Sequence, residues 1–465
     1  MSGRAGVPSR SLQRLLLFLI AGVVSAMLVR VAWAGLAGFR NSAVGGISIS
    51  ADGVVGPPSD DARNIVLSDL RREFKEPSDE LNRSTAMRMI SLRALNAACD
   101  DALKAGTGDI PDELRYLAGI QRIQYVFVYP DEHDIVLAGP GEGWKVDDNA
   151  NVVGVTTGRP VLRLDDLLVA LRSVEQSRQG GITCSIDPTK EGLLALRNLL
   201  DKQRDVARAG GMNTRALEMD IKREFGNQLV SITGVPATSH FARVLVASDY
   251  RMKRLAMELE RSPVAGLPSY VQMISKASTR AVNNANPRWW LACNYEPLAA
   301  SDDRLAWELR GPAVKALTED EVVSDGGRVE GTGKASPMAQ KWADLLTEKY
   351  DDVSGKISVF AELRNLMDLC VIGALLEKEG LWDKAGLSAP VLCDPQSPWK
   401  LDVWNAPKAV PPEVSFVKVS KAWIVTASGG VQLTPWQVAS QVETSTQVAA
   451  ARSKATPNSK SLWWQ

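Results

Sequence analysis

The chain has 465 residues, with 54 basic against 54 acidic side chains, 45% apolar and 23% charged residues. These shares are those of an ordinary globular protein with chain enough for about three domains, and they exclude collagen, coiled coil and wholesale disorder. Zero formal net charge supplies no attraction to nucleic acid. Only two histidines, His133 and His240, are available for imidazole chemistry.

At the N-terminus, Arg4, Arg10 and Arg14 precede an unbroken apolar run from Leu15 to Val29. Fifteen residues fall short of the about 20 that a spanning helix needs, and they suit the apolar region of a signal peptide. Ala32-Trp33-Ala34 has the small-x-small form of a cleavage site, so residues 1–34 are expected to be removed after Ala34. An uncleaved anchor is the alternative, because Arg30 interrupts the approach to that site. Export to the periplasm or cell envelope follows, with membrane contact only through this segment if it is retained. Cleavage leaves 50 basic and 54 acidic side chains, a net charge of −4. The five cysteines are scattered without a Cys-x-x-Cys pair, which predicts small buried thiols rather than a disulfide scaffold.

Residues 35–119 open with GISISADGVVGPP, a short hairpin and a Pro-Pro break, and then turn helical. Helices are expected over Asn64–Phe74 and Ser78–Lys104, with a short one at Pro111. Residues 120–180 are β-rich, with strands over Ile123–Tyr129 and Asp134–Ala138 joined by a turn at Pro130–His133. Residues 181–312 give strand Ile182–Ile186, two helices, strands Leu229–Thr233 and Phe241–Ala247, a helix through Met252 and Leu259, and strand Arg288–Cys293. With the extra helix set aside this is β-α-β-β-α-β, a ferredoxin-like order in which the first and third strands are neighbours.

Acidic, Gly-rich residues 313–336 are expected to be a linker. Residues 337–439 carry a helical hairpin, Pro337–Tyr350 and Val359–Gly380, and a small β segment with strands Val414–Val419 and Lys421–Thr426. Residues 440–465 are expected to form a loosely ordered tail. The class is therefore α+β.

Asp131, Glu132, His133 and Asp134 in the first turn, with Glu142 in the following GPGEGW loop, are the first place to look for chemistry. Carboxylates around one imidazole tune a general base, and Asp131 with His133 offers a metal pair. A solvated turn that uses Asp for its own backbone bonds is the competing reading. His240 reads as a turn or strand-edge residue, able to pair with Ser239 or Asp249. Eleven of the 13 tryptophans lie at or after Trp289; Trp144, Trp399, Trp404, Trp423 and Trp436 are the candidates for a ligand-binding surface.

Other motifs fail on spacing. GPGEG continues as strand rather than opening a helix on phosphate, GTGKAS misplaces its Ser, and DDNAN has Val152 where a calcium loop needs Gly. No cofactor is implied.

The segments YVFVYPDEHDIVLAGPGEGW, TTGRPVLRLDDLLVALR, CSIDPTKEGL and VFAELRNLMDLCVIGALL resemble an uncharacterised family of exported planctomycete proteins, a domain of unknown function, over about residues 110–430. The resemblance implies export and no activity. The expected function is a non-enzymatic envelope protein that binds another protein or a wall polymer. The alternative is a periplasmic hydrolase or metal-binding protein using the Asp131–Asp134 loop.

Overall fold

The computed structural model describes residues 46–57, 60–106, 110–208, 214–276, 286–323, 329–415, 428–455 and 463–465. The expected signal peptide lies outside them, as do Trp423 and the strand Lys421–Thr426. Among the described residues no helix is long and apolar enough to cross a membrane.

Two sheets organise this α+β chain. The larger runs in the order β14 (Val329–Gly331), β13 (Ala313–Val323), β10 (Asn286–Asn294), β16 (Ser428–Leu433), β8 (Ile182–Asp187), β9 (Gln228–Thr233) and β15 (Ala409–Val410). Only β10 and β16 are parallel. The smaller runs β17 (Val442–Thr444), β11 (Leu298–Ala300), β12 (Ala306–Glu308), β4 (Tyr125–Tyr129), β5 (Asp134–Gly141) and β3 (Thr85–Ser91). A hairpin of β1 (Ser48–Ile49) with β2 (Val55–Gly56) matches the expected one, and β6 (Trp144–Val146) pairs with β7 (Val152–Gly154).

Alternation places the strand side chains. Val126, Val128, Ile135 and Leu137 enter the main core, while Phe127, Tyr129, Val136 and Ala138 join a second cluster on the opposite face of the smaller sheet. The main core also takes Ile182, Cys184 and Ile186 of the larger sheet and three helices: α1 (Leu164–Arg172), α2 (His240–Ala256) and α3 (Ser358–Lys378). α3 is buried along almost its whole length, as expected of a helix that is apolar on all sides.

Several expectations are corrected. Residues Thr85–Ser91, expected within one long helix, form β3, because pairing with β5 outweighs the helix propensity of Ala, Met and Arg. Ser91 then caps the helix Leu92–Ala105, its hydroxyl accepting from the amide of Ala94. Phe241–Ala247 is the first part of α2 rather than a strand. Ser239 caps it, and every side chain from His240 to Tyr250 is buried, so no strand-like alternation exists.

The ferredoxin-like pairing of the first and third strands is thereby lost; β8 instead lies between β16 and β9. The expected linker 313–336 contains the eleven-residue β13, paired with β10 over Ala313–Glu321, and then β14. The tail forms β17 and the helix Thr446–Lys454, which covers the second cluster through Val448. Helices Pro337–Glu348 and Ser358–Lys378 stand at the positions of the two helices of the expected hairpin. All five cysteines are free thiols, buried or partly so.

Candidate functional site

His133, Asp131 and Glu132 occupy an exposed turn. His133 adopts a left-handed φ of 51°, with Nδ1 3.3 Å from the carbonyl oxygen of Ala385. Asp134 is buried and accepts from the Ser91 hydroxyl at 2.6 Å and from the amides of Arg93 and Ile135 at 3.1 and 2.8 Å. It anchors the start of the helix Leu92–Ala105; burial pushes its carboxyl up against those hydrogen bonds.

Glu142 does not return to this rim. The strand β5 runs unbroken through Gly141, so Glu142 stands at its far end, roughly 25 Å away at the usual rise per residue. There it accepts from Gln121 Nε2 at 2.8 Å, from the amides of Thr156 and Thr157, and from the Thr157 hydroxyl at 2.6 Å. Burial favours its neutral form, but the hydrogen bonds from Thr157 and Thr156 outweigh this and lower its pKa. Of the four carboxylates of the expected acid–base group, Asp134 and Glu142 are thus occupied by local structure. Among the described residues no group of three His, Cys, Asp or Glu side chains is placed to hold a metal.

Trp144 and Trp399 are buried, at 1% and 3% exposure. Trp144 packs against Tyr116 with ring centroids 6.1 Å apart. Trp404 leads elsewhere: its ring lies 5.3 Å from that of His240.

His240 opens α2 and points at α1. Its Nδ1 lies 2.9 and 3.1 Å from the two carboxylate oxygens of Asp166, and both residues are buried. A small pocket between α1, α2 and α3 is lined by Arg163, Asp166, His240, Glu362 and Asn365 together with apolar neighbours. It holds about 10 Å³ of space for a water's centre, room for about one water. Among the described residues, Oε2 of Glu362 and Oδ1 of Asn365 have no hydrogen-bond partner. Burial raises the Glu362 carboxyl, while His240 and Arg163 oppose that shift.

With Asp166 accepting from Nδ1, the remaining ring nitrogen Nε2 is the one left to take a proton. The sequence hid this pair, since 74 residues separate its members. The nearest signal was the Ser-His step that starts a helix.

A second surface belongs to the larger sheet. Because Ile182, Cys184, Ile186, Trp289 and Leu291 face the core, the alternate residues face the other way. Register aligns Leu317, Trp290, Gly430, Ser185 and Ser231 in one row across five strands. The next row brings Gln432, Thr183 and Thr233 together, with the two threonine hydroxyls 2.7 Å apart. Gln432, Ser231 and Thr233 are exposed, and Trp290 is partly exposed. Gly430 presents no side chain on that flank of the indole. On the other flank of this face, Arg288 pairs with Glu321 at 3.2 Å, and the Ser428 hydroxyl donates to Glu321.

No curated protein and no solved structure matches the chain. A family described as a protein of unknown function (DUF1598) matches residues 184–270, a stretch that carries most of β8, all of β9, and α2 with His240.

Proposed function

We propose that this chain is an exported cell-envelope protein that binds a wall polysaccharide on the outward face of its larger sheet. The observation that carries the reading is the row centred on Trp290. A partly exposed indole lies on a face with Ser, Thr and Gln side chains, and on its flank Arg288 is paired with Glu321. Sugars alternate apolar C–H faces with hydroxyl edges, so an indole flanked by hydroxyl and amide groups matches them, and an uncharged polymer needs no net charge in return. The basic, then apolar N-terminus supports export.

The test is cosedimentation of the mature chain with purified wall polysaccharide. Trp290→Ala is expected to weaken binding about tenfold, about 1.4 kcal/mol, with an unchanged melting temperature. Equal binding by wild type and variant would remove this reading.

A second reading, acid–base hydrolysis, moves from the Asp131–Asp134 turn to His240. It is favoured by the orientation that Asp166 imposes on the imidazole and by the unpartnered Glu362 oxygen facing the same pocket. Wild type should then hydrolyse members of a chromogenic ester panel, His240→Gln should lose at least 100-fold in rate, and His133→Ala should keep it. Absence of turnover by the wild type would end this reading.

A further inference from the structure

Arg243 is completely buried, and among the described residues none of its three guanidinium nitrogens has a hydrogen-bond partner. Its Cζ lies 5.0 Å from the centre of the Trp404 ring, and the indole nitrogen of Trp404, also buried, has no acceptor either. The Asp166 carboxylate has both oxygens on the His240 imidazole. Burial alone acts on Arg243 and pushes its pKa down to about 9, with no carboxylate to offset it.

Position adds to the charge. Arg243 sits in the first turn of α2, where the helix dipole is positive and a cation is disfavoured. The Ser239 hydroxyl answers only the amide of Ala242 there. A cation–π contact with Trp404 offsets part of the cost of burying a charge, but an isolated buried ion calls for a counter-ion. Trp404 is held in place, since its amide donates to the carbonyl of Thr238 at 2.8 Å.

We propose that the Arg243 guanidinium and the Trp404 indole N–H form a binding site for a small monovalent inorganic anion of about chloride size, at the N-terminal turn of α2. The donors offered are all N–H groups, with no acceptor among them, which selects against a cation. A neutral water would leave the charge unbalanced. The complete burial of Arg243 keeps the occupant small. Such an ion would tie α2 to the segment carrying Trp404.

The test uses the mature chain at constant ionic strength, with sodium chloride replacing sodium gluconate. The melting temperature should rise saturably with chloride, and Arg243→Met should abolish the response. Should that variant fail to fold, Trp404→Phe keeps the ring and removes the N–H, and it should raise the apparent chloride Kd about tenfold. Crystals soaked in bromide should show an anomalous peak beside the guanidinium. A chloride response equal in the variants, or an ordered water with no anomalous signal at that place, would overturn the proposal.

Discussion

Asp165 and Asp166 stand side by side in the first turn of α1, in opposite circumstances. Asp166 faces an imidazole, whereas Asp165 accepts the amide of Asp402 at 3.1 Å and has the Asp402 carboxylate as a neighbour. Burial first, and Asp402 second, push the Asp165 carboxyl from 3.8 to about 6. The folded chain therefore holds this proton more tightly than the unfolded one. Its contribution to stability is complete below about pH 4 and is lost as the pH rises through about 6. After solvent screening, the ionised group costs the fold roughly 1 kcal/mol at pH 7. Asp165→Asn is expected to raise the urea-unfolding free energy by about that amount at pH 7 and to change it little at pH 4. Equal shifts at the two pH values would show that the pair contributes through packing.

The same scale explains the turn at Asp131–Asp134. Its composition suggested a site because four ionisable groups adjoin in the chain. Sequence does not reveal which carboxylate is consumed by backbone amides, and Asp134 is consumed by three donors supplied by Ser91, Arg93 and Ile135.

Among the elements, those with clear boundary signals were legible. The short apolar strands β4 and β5 on either side of the Pro130 turn, and the helix Pro337–Glu348 with its Ser336 cap and first-turn Pro, follow directly from the residues. α2 was not, because FARVLVA is buried on every side and its apolar run fits a strand equally well. The tail was missed for a different reason. Ser/Thr/Gln/Ala composition reads as disorder, yet the helix Thr446–Lys454 is held by Val448 and Ala451 against the second cluster and by specific bonds. The Tyr129 hydroxyl donates to the carbonyls of Ala455 and Arg452, and Arg452 pairs with Asp303. Val448 is the side chain that seals Phe127, Val136 and Ala306. Val448→Asp should cost about 3 kcal/mol in urea unfolding, as for an unpaired charge forced into an apolar contact. An effect below about 0.5 kcal/mol, that of an ordinary surface change, would show that the helix does not close this cluster.

At the scale of the whole molecule, strand neighbours depend on contacts that local patterns do not encode. β16 enters between β8 and β10 although more than 130 residues separate it from either. β17 joins β11 across a similar gap. Such pairings close large loops, and their free energy comes from what the paired strands bury in the fold rather than from any property of the strand itself. The residues by themselves determined the mixture of helix and strand, the alternating faces, the helix caps and the apolar, non-disulfide character of the cysteines, because each depends on near neighbours or on composition. Only the tertiary structure decided that His240 meets Asp166, that Trp290 shares a row with Ser185 and Ser231, and that Arg243 is buried without a hydrogen-bond partner among the described residues. Each of those facts is a meeting, or a missed meeting, between groups brought together by the packing of distant segments.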